Sequence, residues 1–405
     1  MSAVRAPADG DAVLGMRPRV AVEPGSLDEA AEAMRALARD GASIVFVGGG
    51  TDLELGAPPR RLDAVLHTRR LDRIREHAPS DQIVAVEAGM TIAALQRHLA
   101  PHGQRLALDP PHPERATVGG VLAANAFGPR RTRHGAVRDL VIGITLVRAD
   151  GVVARGGGKV VKNVAGFDLP RLLCGSLGSL GLVAEVVFRL HPLPEACATV
   201  AFGGLSPAEV RALTRATLDA RLEPAAVAAL QEGDGRFRLA MRFEGFAPGV
   251  REQTDRLLAL DARGERLAGA DEAAPWARHD ALRAAGDVRA KAAFRPAALE
   301  EAVRAVEAVT ATLGAGALVL YPTLGIAFAG GRLVRADATG SAIAAARATL
   351  RPGNGSLVLA AAPAALRDLV DPWGDPPPAL EVMRRLKREL DPDGRLAPGR
   401  VVGGI

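Results

Sequence analysis

The stretch Gly157–Gly181, GGKVVKNVAGFDLPRLLCGSLGSLG, decides more about this fold than any other part of the chain. Two of only four lysines, Lys159 and Lys162, fall inside it, whereas 47 of the 51 basic residues are arginine. A compact ammonium in a chain that otherwise uses guanidinium marks a local chemical need. Asp168 is placed to start a short helix, and Cys174 reads as a small buried residue rather than a nucleophile. In Gly175–Gly181, glycine recurs at every third position, so backbone runs very close to something flat or bulky, with Ser176 and Ser179 as hydroxyl donors. An ATP-binding phosphate loop is excluded, because Val153 stands where its first glycine belongs and Val160 follows the lysine.

Working toward the N-terminus, Gly128–Asp139 (GPRRTRHGAVRD) holds four arginines and His134. It reads either as a solvated basic loop or as a seat for a phosphate or carboxylate. Asp109–Asn125 (DPPHPERATVGGVLAAN) has an approach stiffened by Pro110, Pro111 and Pro113, followed by Thr117, Gly119 and Gly120. These predict small groups and free amides at a helix start, suited to a large ligand or to tight helix–strand packing. Val47–Asp52 (VGGGTD) follows the apolar run Ile44–Val47, which reads as a buried strand. Its glycines let amide groups crowd an anion, and Thr51 adds a hydroxyl, so it is a pyrophosphate cradle or an ordinary turn. The pattern is not G-x-G-x-x-G and no ribose carboxylate follows at the right spacing, which excludes a nicotinamide fingerprint. Ser26 predicts a capped helix over Leu27–Arg39, and Thr91 another from Ile92.

Toward the C-terminus the rhythm changes after Pro192 and Pro194. Helices are predicted over Pro207–Ala220, Pro248–Leu260, Pro296–Leu313 and Thr339–Leu350, with strands between them, giving helices on one face of a mostly antiparallel sheet. Asp371–Pro378 is a proline-rich linker, followed by a helix and the tail Asp391–Arg400, DPDGRLAPGR.

The chain has 405 residues, 48% of them hydrophobic, enough for two or three domains. Net charge is +5, but the arginines are interspersed with acids and only 3% of residues are aromatic, which argues against nucleic acid. Two cysteines, Cys174 and Cys197, cannot hold an iron–sulfur cluster, which takes about four thiolates, and no metal site is expected. No signal peptide and no membrane-spanning run is expected, consistent with a cytoplasmic location.

Each motif is modest alone. Their order (VGGGTD, ATVGGVLAAN, RHGAVRD, GGKVVKNVAGFD, GSLGSLGLV and DPDGRLAPGR) resembles the vanillyl-alcohol-oxidase type of flavoprotein, the PCMH-type FAD-binding family. KVVKNVAGFDLPRLLCGSLGSLG is especially similar to the FAD-binding subunit of bacterial glycolate oxidases. The resemblance covers residues 18–195 well and the tail moderately. It implies an α+β chain: an arm over 1–17, a two-lobed FAD-binding domain over 18–195, and an α+β cap with a mostly antiparallel sheet over 196–370. Residues 371–405 would form a linker, a helix and a tail returning to the FAD domain.

By the same resemblance, Gly48, Gly49, Gly50, Thr51 and Asp52 would wrap the FAD pyrophosphate, with Pro110, Thr117, Gly119, Gly120 and Asn125 on its other side. Gly175, Ser176, Gly178 and Gly181 would run beside the cofactor, Val183 near its adenine, and Lys162 and Asp168 near the flavin. Thr51 stands where some relatives carry a histidine bonded to the flavin, which implies non-covalent FAD. Phe167-Asp168 replaces the family's Tyr-Asp. The implied reaction is oxidation of a small 2-hydroxy acid to a 2-oxo acid. The family's H-x-D-G-N-x-H segment, metal ligand and base, is absent here: seven of eight histidines lie at or before His191, and only His279 follows. No catalytic base is therefore assigned. The expectation is a subunit working with a companion FAD-linked oxidase subunit and an iron–sulfur subunit, which could bring it to a membrane. A stand-alone oxidoreductase and a flavin-free scaffold are the alternatives.

Overall fold

A computed structural model describes residues 3–159, 166–232 and 235–405, and Lys162 lies outside them. The chain divides into two units. One comprises Met1–Gly128, Gly135–Leu193 and Asp375–Ile405, the other Pro129–His134 and Pro194–Gly374.

The first unit holds two sheets. In the four-stranded sheet the strands Val20–Glu23 and Ile44–Val47 lie on either side of Ala64–His67, both parallel to it, and Ala3–Arg5 closes one edge antiparallel. The helix Leu27–Arg39 connects the first two of these strands and buries Ala30, Ala31, Met34 and Leu37. Ser26 caps it as expected, accepting from the Glu29 amide at 3.2 Å. Ile44–Val47 is apolar throughout, as a strand covered on both faces must be. The C-terminal tail runs along its open edge: Leu396 bridges to Ile44 in parallel, with the Ile44 amide donating to Arg395 O and the Ala397 amide to Ile44 O. The tail therefore satisfies backbone groups that the edge would otherwise leave unpaired.

The second sheet is antiparallel, in the order Ile74–Ala78, Ile83–Glu87, Leu182–Arg189, Val141–Val147, Val153–Gly157. A hairpin turning at Asp150-Gly151 joins Val141–Val147 to Val153–Gly157. Val84, Val86, Val186, Phe188, Ile92, Leu95, Val118 and Leu122 form its core together with the helices Ile92–Leu99 and Val118–Ala124. Full burial of each such side chain contributes roughly 1.5–3 kcal/mol.

The second unit is an eight-stranded antiparallel sheet. Alternate residues such as Val227, Ala229, Leu239, Met241, Leu318 and Leu320 pack with the helices Pro207–Asp219, Ala247–Leu260, Leu299–Thr310 and Ala336–Leu350. Helices on one face are thus correct for these four. The helix Ala274–Ala284 was not anticipated and lies on the other face, where His279 stacks on Tyr321 and Arg283 lies 3.4 Å from the Phe328 ring centroid. Tyr321 and Phe328 occupy the opposite phase of the period-2 pattern from Leu320 and Ala327. The helix expected over Pro296–Leu313 ends at Thr310, and Leu313 already begins a strand. Its apolar continuation is shared by both periodicities, and the Gly314–Gly316 pair, poor in a helix, decides for the strand.

Candidate functional site

Where Ile44–Val47 ends, Gly48–Asp52 turns out of the sheet against the backbone of residues 115–117. A Cβ on Gly49 would stand 1.7 Å from Arg115 O, and one on Gly48 2.1 Å from Thr117 Oγ1. These two glycines are needed for close approach; Gly50 alone of the three has a positive φ, +71°. The four backbone N–H groups of Gly48–Thr51 have no acceptor among the described residues.

The neighbouring helix Val118–Ala124 differs from expectation. Its first amides are not free: Val118 N–H donates to Met90 O, Gly119 N–H to Ala88 O and Gly120 N–H to Thr117 Oγ1. Gly119 is glycine because a Cβ would meet Ala88 Cβ at 2.8 Å. The segment thus serves tight helix–strand packing, and the donors available to an anion are those of the glycine loop.

Gly175–Gly181 lies alongside. Gly175 N–H donates to Leu122 O and Leu177 N–H to Ala123 O. The flat neighbour foreseen for these glycines is, at Gly178, the ring of Phe46, which a Cβ on this residue would approach to 2.8 Å. Ser179 Oγ is spent on Ser176 O. Ser176 Oγ and Asn125 Oδ1 are buried and have no partner among the described residues.

Together these elements line a cleft. Gly48, Gly49, Gly50, Thr51, Asp52, Gly119, Gly120, Gly178, Gly181 and Val183 all contribute to it. A second cleft shares Gly48–Gly50 and adds Thr117. Pro110, Asn125, Gly175 and Ser176 line neither. Asp168 is also elsewhere: half-exposed, it caps the helix Leu169–Leu173, accepting from the Arg171 amide and pairing with the Arg171 side chain.

Arg400 was not singled out from the sequence. Its Nη2 donates to Leu53 O and Leu55 O, both at 2.7 Å, and it supplies the only positive charge among the described residues of the first cleft. Its only sequence signal was a place in a tail whose prolines and glycines fix the path. In the arginine-rich stretch Gly128–Asp139, Arg133 and Arg138 are exposed, as a solvated stretch would have them, while Arg130 is engaged within the protein. Arg130 pairs with buried Glu244 at 3.0 Å, and Arg133 donates to Glu244 O.

In the second unit His279 is 3% exposed. Its Nε2 lies 2.7 Å from Tyr321 Oη and its Nδ1 2.8 Å from Asp280. Arg283 also donates to the Tyr321 hydroxyl. Burial lowers the His279 pKa, with Asp280 opposing. This histidine is a fully engaged core residue, and Tyr321 ends a core strand.

A glycine-loop cleft at the end of a mainly parallel sheet, with four amide donors aimed at no protein group, fits a dinucleotide pyrophosphate. The fold and cleft are those of a flavin-dinucleotide protein. Residues 18–157 match the FAD binding domain family, and FAD is the cofactor of this unit.

The chain is similar to glycolate oxidase subunit GlcE of Escherichia coli (strain K12), 36% identical over 160 residues, 39% of this chain and 45% of that protein. It is also similar to D-lactate dehydrogenase of Archaeoglobus fulgidus, 34% identical over 175 residues, 43% of this chain and 39% of the relative. The match therefore spans less than half the length of these relatives. Among solved structures, an alkyldihydroxyacetonephosphate synthase superposes with a TM-score of 0.73 at 16% identity, over 96% of this chain and 78% of that one, which establishes the shared fold.

Proposed function

We propose that this chain is an FAD-dependent oxidoreductase subunit acting on the CH–OH group of a small 2-hydroxy acid. The observation that carries the reading is the glycine-loop cleft, inside a segment matched to FAD binding domains and similar to a D-lactate dehydrogenase and a glycolate oxidase subunit. Bound FAD supplies a two-electron acceptor for the substrate hydride. The chain's part would be to hold it: the Gly48–Thr51 amides and Arg400 would take the pyrophosphate, and Gly119, Gly120, Gly178, Gly181 and Val183 would shape the walls. With Thr51 at the attachment position, the flavin is held without a covalent bond.

Removal of the hydroxyl proton needs a base poised near the working pH. The one histidine beyond residue 191 is sealed in the core. A complete reaction is therefore assigned to a complex, with a companion FAD-linked oxidase chain supplying the base. Cys174 and Cys197 are both free, so one-electron relay through iron–sulfur chemistry belongs to another chain.

The test is the visible spectrum of the purified chain. A flavin band that passes into the supernatant on acid precipitation supports non-covalent FAD. Glycolate or D-lactate should leave that band oxidised until the companion chain is added. Bleaching by the isolated chain would make it a stand-alone enzyme, and no flavin after incubation with excess FAD would leave only a scaffold.

A further inference from the structure

Three of the chain's eight histidines converge on a surface that the flavin clefts do not use. His77 comes from the strand Ile74–Ala78, His98 from the last turn of Ile92–Leu99, and His102 from the 3-10 turn Ala100–His102. One ring nitrogen of each lies within 4.8 Å of those of the other two. Ring centroids are 4.8, 5.2 and 5.8 Å apart. His98 and His102, four residues apart, project from one side of a continuous helical turn, and both are exposed. None of the three rings has a carboxylate partner among the described residues.

The setting of His77 is fixed by its neighbours. Gln104 Nε2 donates to Pro79 O at 2.7 Å, which orients its amide so that Oε1 faces His77 Nε2 at 2.9 Å. His77 Nε2 must therefore carry the proton, and its lone pair sits on Nδ1. A hydrogen bond of this kind sets the tautomer of metal-ligating histidines.

We propose that His77, His98 and His102 bind one late-transition divalent ion, with zinc as the best match, through three imidazoles and a fourth position open to water. An all-nitrogen set suits zinc and excludes calcium and magnesium, which take oxygen ligands. Zinc–nitrogen bonds of about 2.0–2.1 Å require the nitrogens to close to about 3.3 Å, which rotation of the exposed His98 and His102 rings provides. The bound ion would clip the strand Ile74–Ala78 to the end of the neighbouring helix.

The experiment is calorimetric titration of chelator-treated, FAD-loaded protein with ZnCl₂, repeated with CoCl₂ while the visible d–d bands are recorded. The expected result is one saturable equivalent with micromolar or tighter affinity and a cobalt spectrum of low coordination number. His98→Ala and His102→Ala should each weaken binding at least 100-fold while flavin absorbance stays unchanged, and His112→Ala should leave binding intact. Absence of a saturable equivalent, or binding that survives the His98→Ala/His102→Ala double variant, would overturn the site.

Discussion

A Cβ on Gly49 would lie 1.7 Å from a backbone carbonyl oxygen, and no flexible group is there to yield. Gly49→Ala must push Gly48–Asp52 away from residues 115–117 and with it the amides that would receive the pyrophosphate. FAD affinity should fall at least tenfold, read as flavin-to-protein ratio after gel filtration. Gly50 has open space around its Cβ position and only a positive φ to satisfy, so Gly50→Ala should cost about 1–2 kcal/mol of stability and far less affinity. Arg400→Met, which removes the cleft's cation and two ties to the loop at Leu53 and Leu55, should weaken FAD severalfold without loss of fold. At the same scale, burial pushes both thiols, Cys174 and Cys197, up to about 12, with nearby arginines opposing. Neither should react with a disulfide reagent at pH 8 until the protein is denatured, when two thiols should appear; fast labelling of native protein would contradict this burial.

At the scale of elements, the C-terminal helix and tail hold the glycine loops from behind. Lys387 Nζ is buried and donates to Asp391 Oδ2, Ser179 O and Leu396 O. One ammonium thus ties the helix Leu380–Leu390 to the loop Gly175–Gly181 and to the tail strand on Ile44. Lys387→Met strands a buried carboxylate and two carbonyls, so it should cost about 3–5 kcal/mol, measured by urea unfolding, and loosen FAD as well. The sequence reading placed a demand for a compact ammonium at Lys159 and Lys162 and made none at Lys387, where the buried ammonium stands. Asp391 stands at helical i,i+4 spacing from Lys387, but Ser179 O, which brings in the glycine loop, is 208 residues away and leaves no local trace. Caps were legible for the opposite reason: Ser26 and Thr91 act on amides three residues away. The glycine loops were legible as positions, and of the two readings open for Thr117–Gly120 the structure takes helix–strand packing; the amides expected to be free are taken by carbonyls of Ala88 and Met90, far off in sequence.

On the scale of the whole molecule, each unit buries a histidine that acid must protonate. His67 is fully buried, with Nε2 2.6 Å from Asp11, whose carboxylate also takes two bonds from Arg5. Burial lowers the His67 pKa, with Asp11 and Glu23 opposing and Arg69 assisting. The Arg5 guanidinium, the Ala8 amide and His67 together hold the Asp11 carboxyl far below the usual range. Burial lowers His279 in the second unit likewise. The sign is common to all three. A depressed pKa means that the unfolded chain takes up the proton first, so stability is complete above the unfolded value and is lost as pH falls. Loss through the histidines begins near pH 6.5, the ordinary imidazole value, and Asp11 adds to it below about pH 4. Urea midpoints of the FAD-loaded protein should therefore fall steadily from pH 7.5 to 5, with flavin release tracking the first unit. His67→Gln should flatten the flavin-release profile over that interval while leaving the slope due to His279 in place. An unchanged profile in His67→Gln would mean that this imidazole is already protonated at neutral pH and bound to Asp11 as an ion pair.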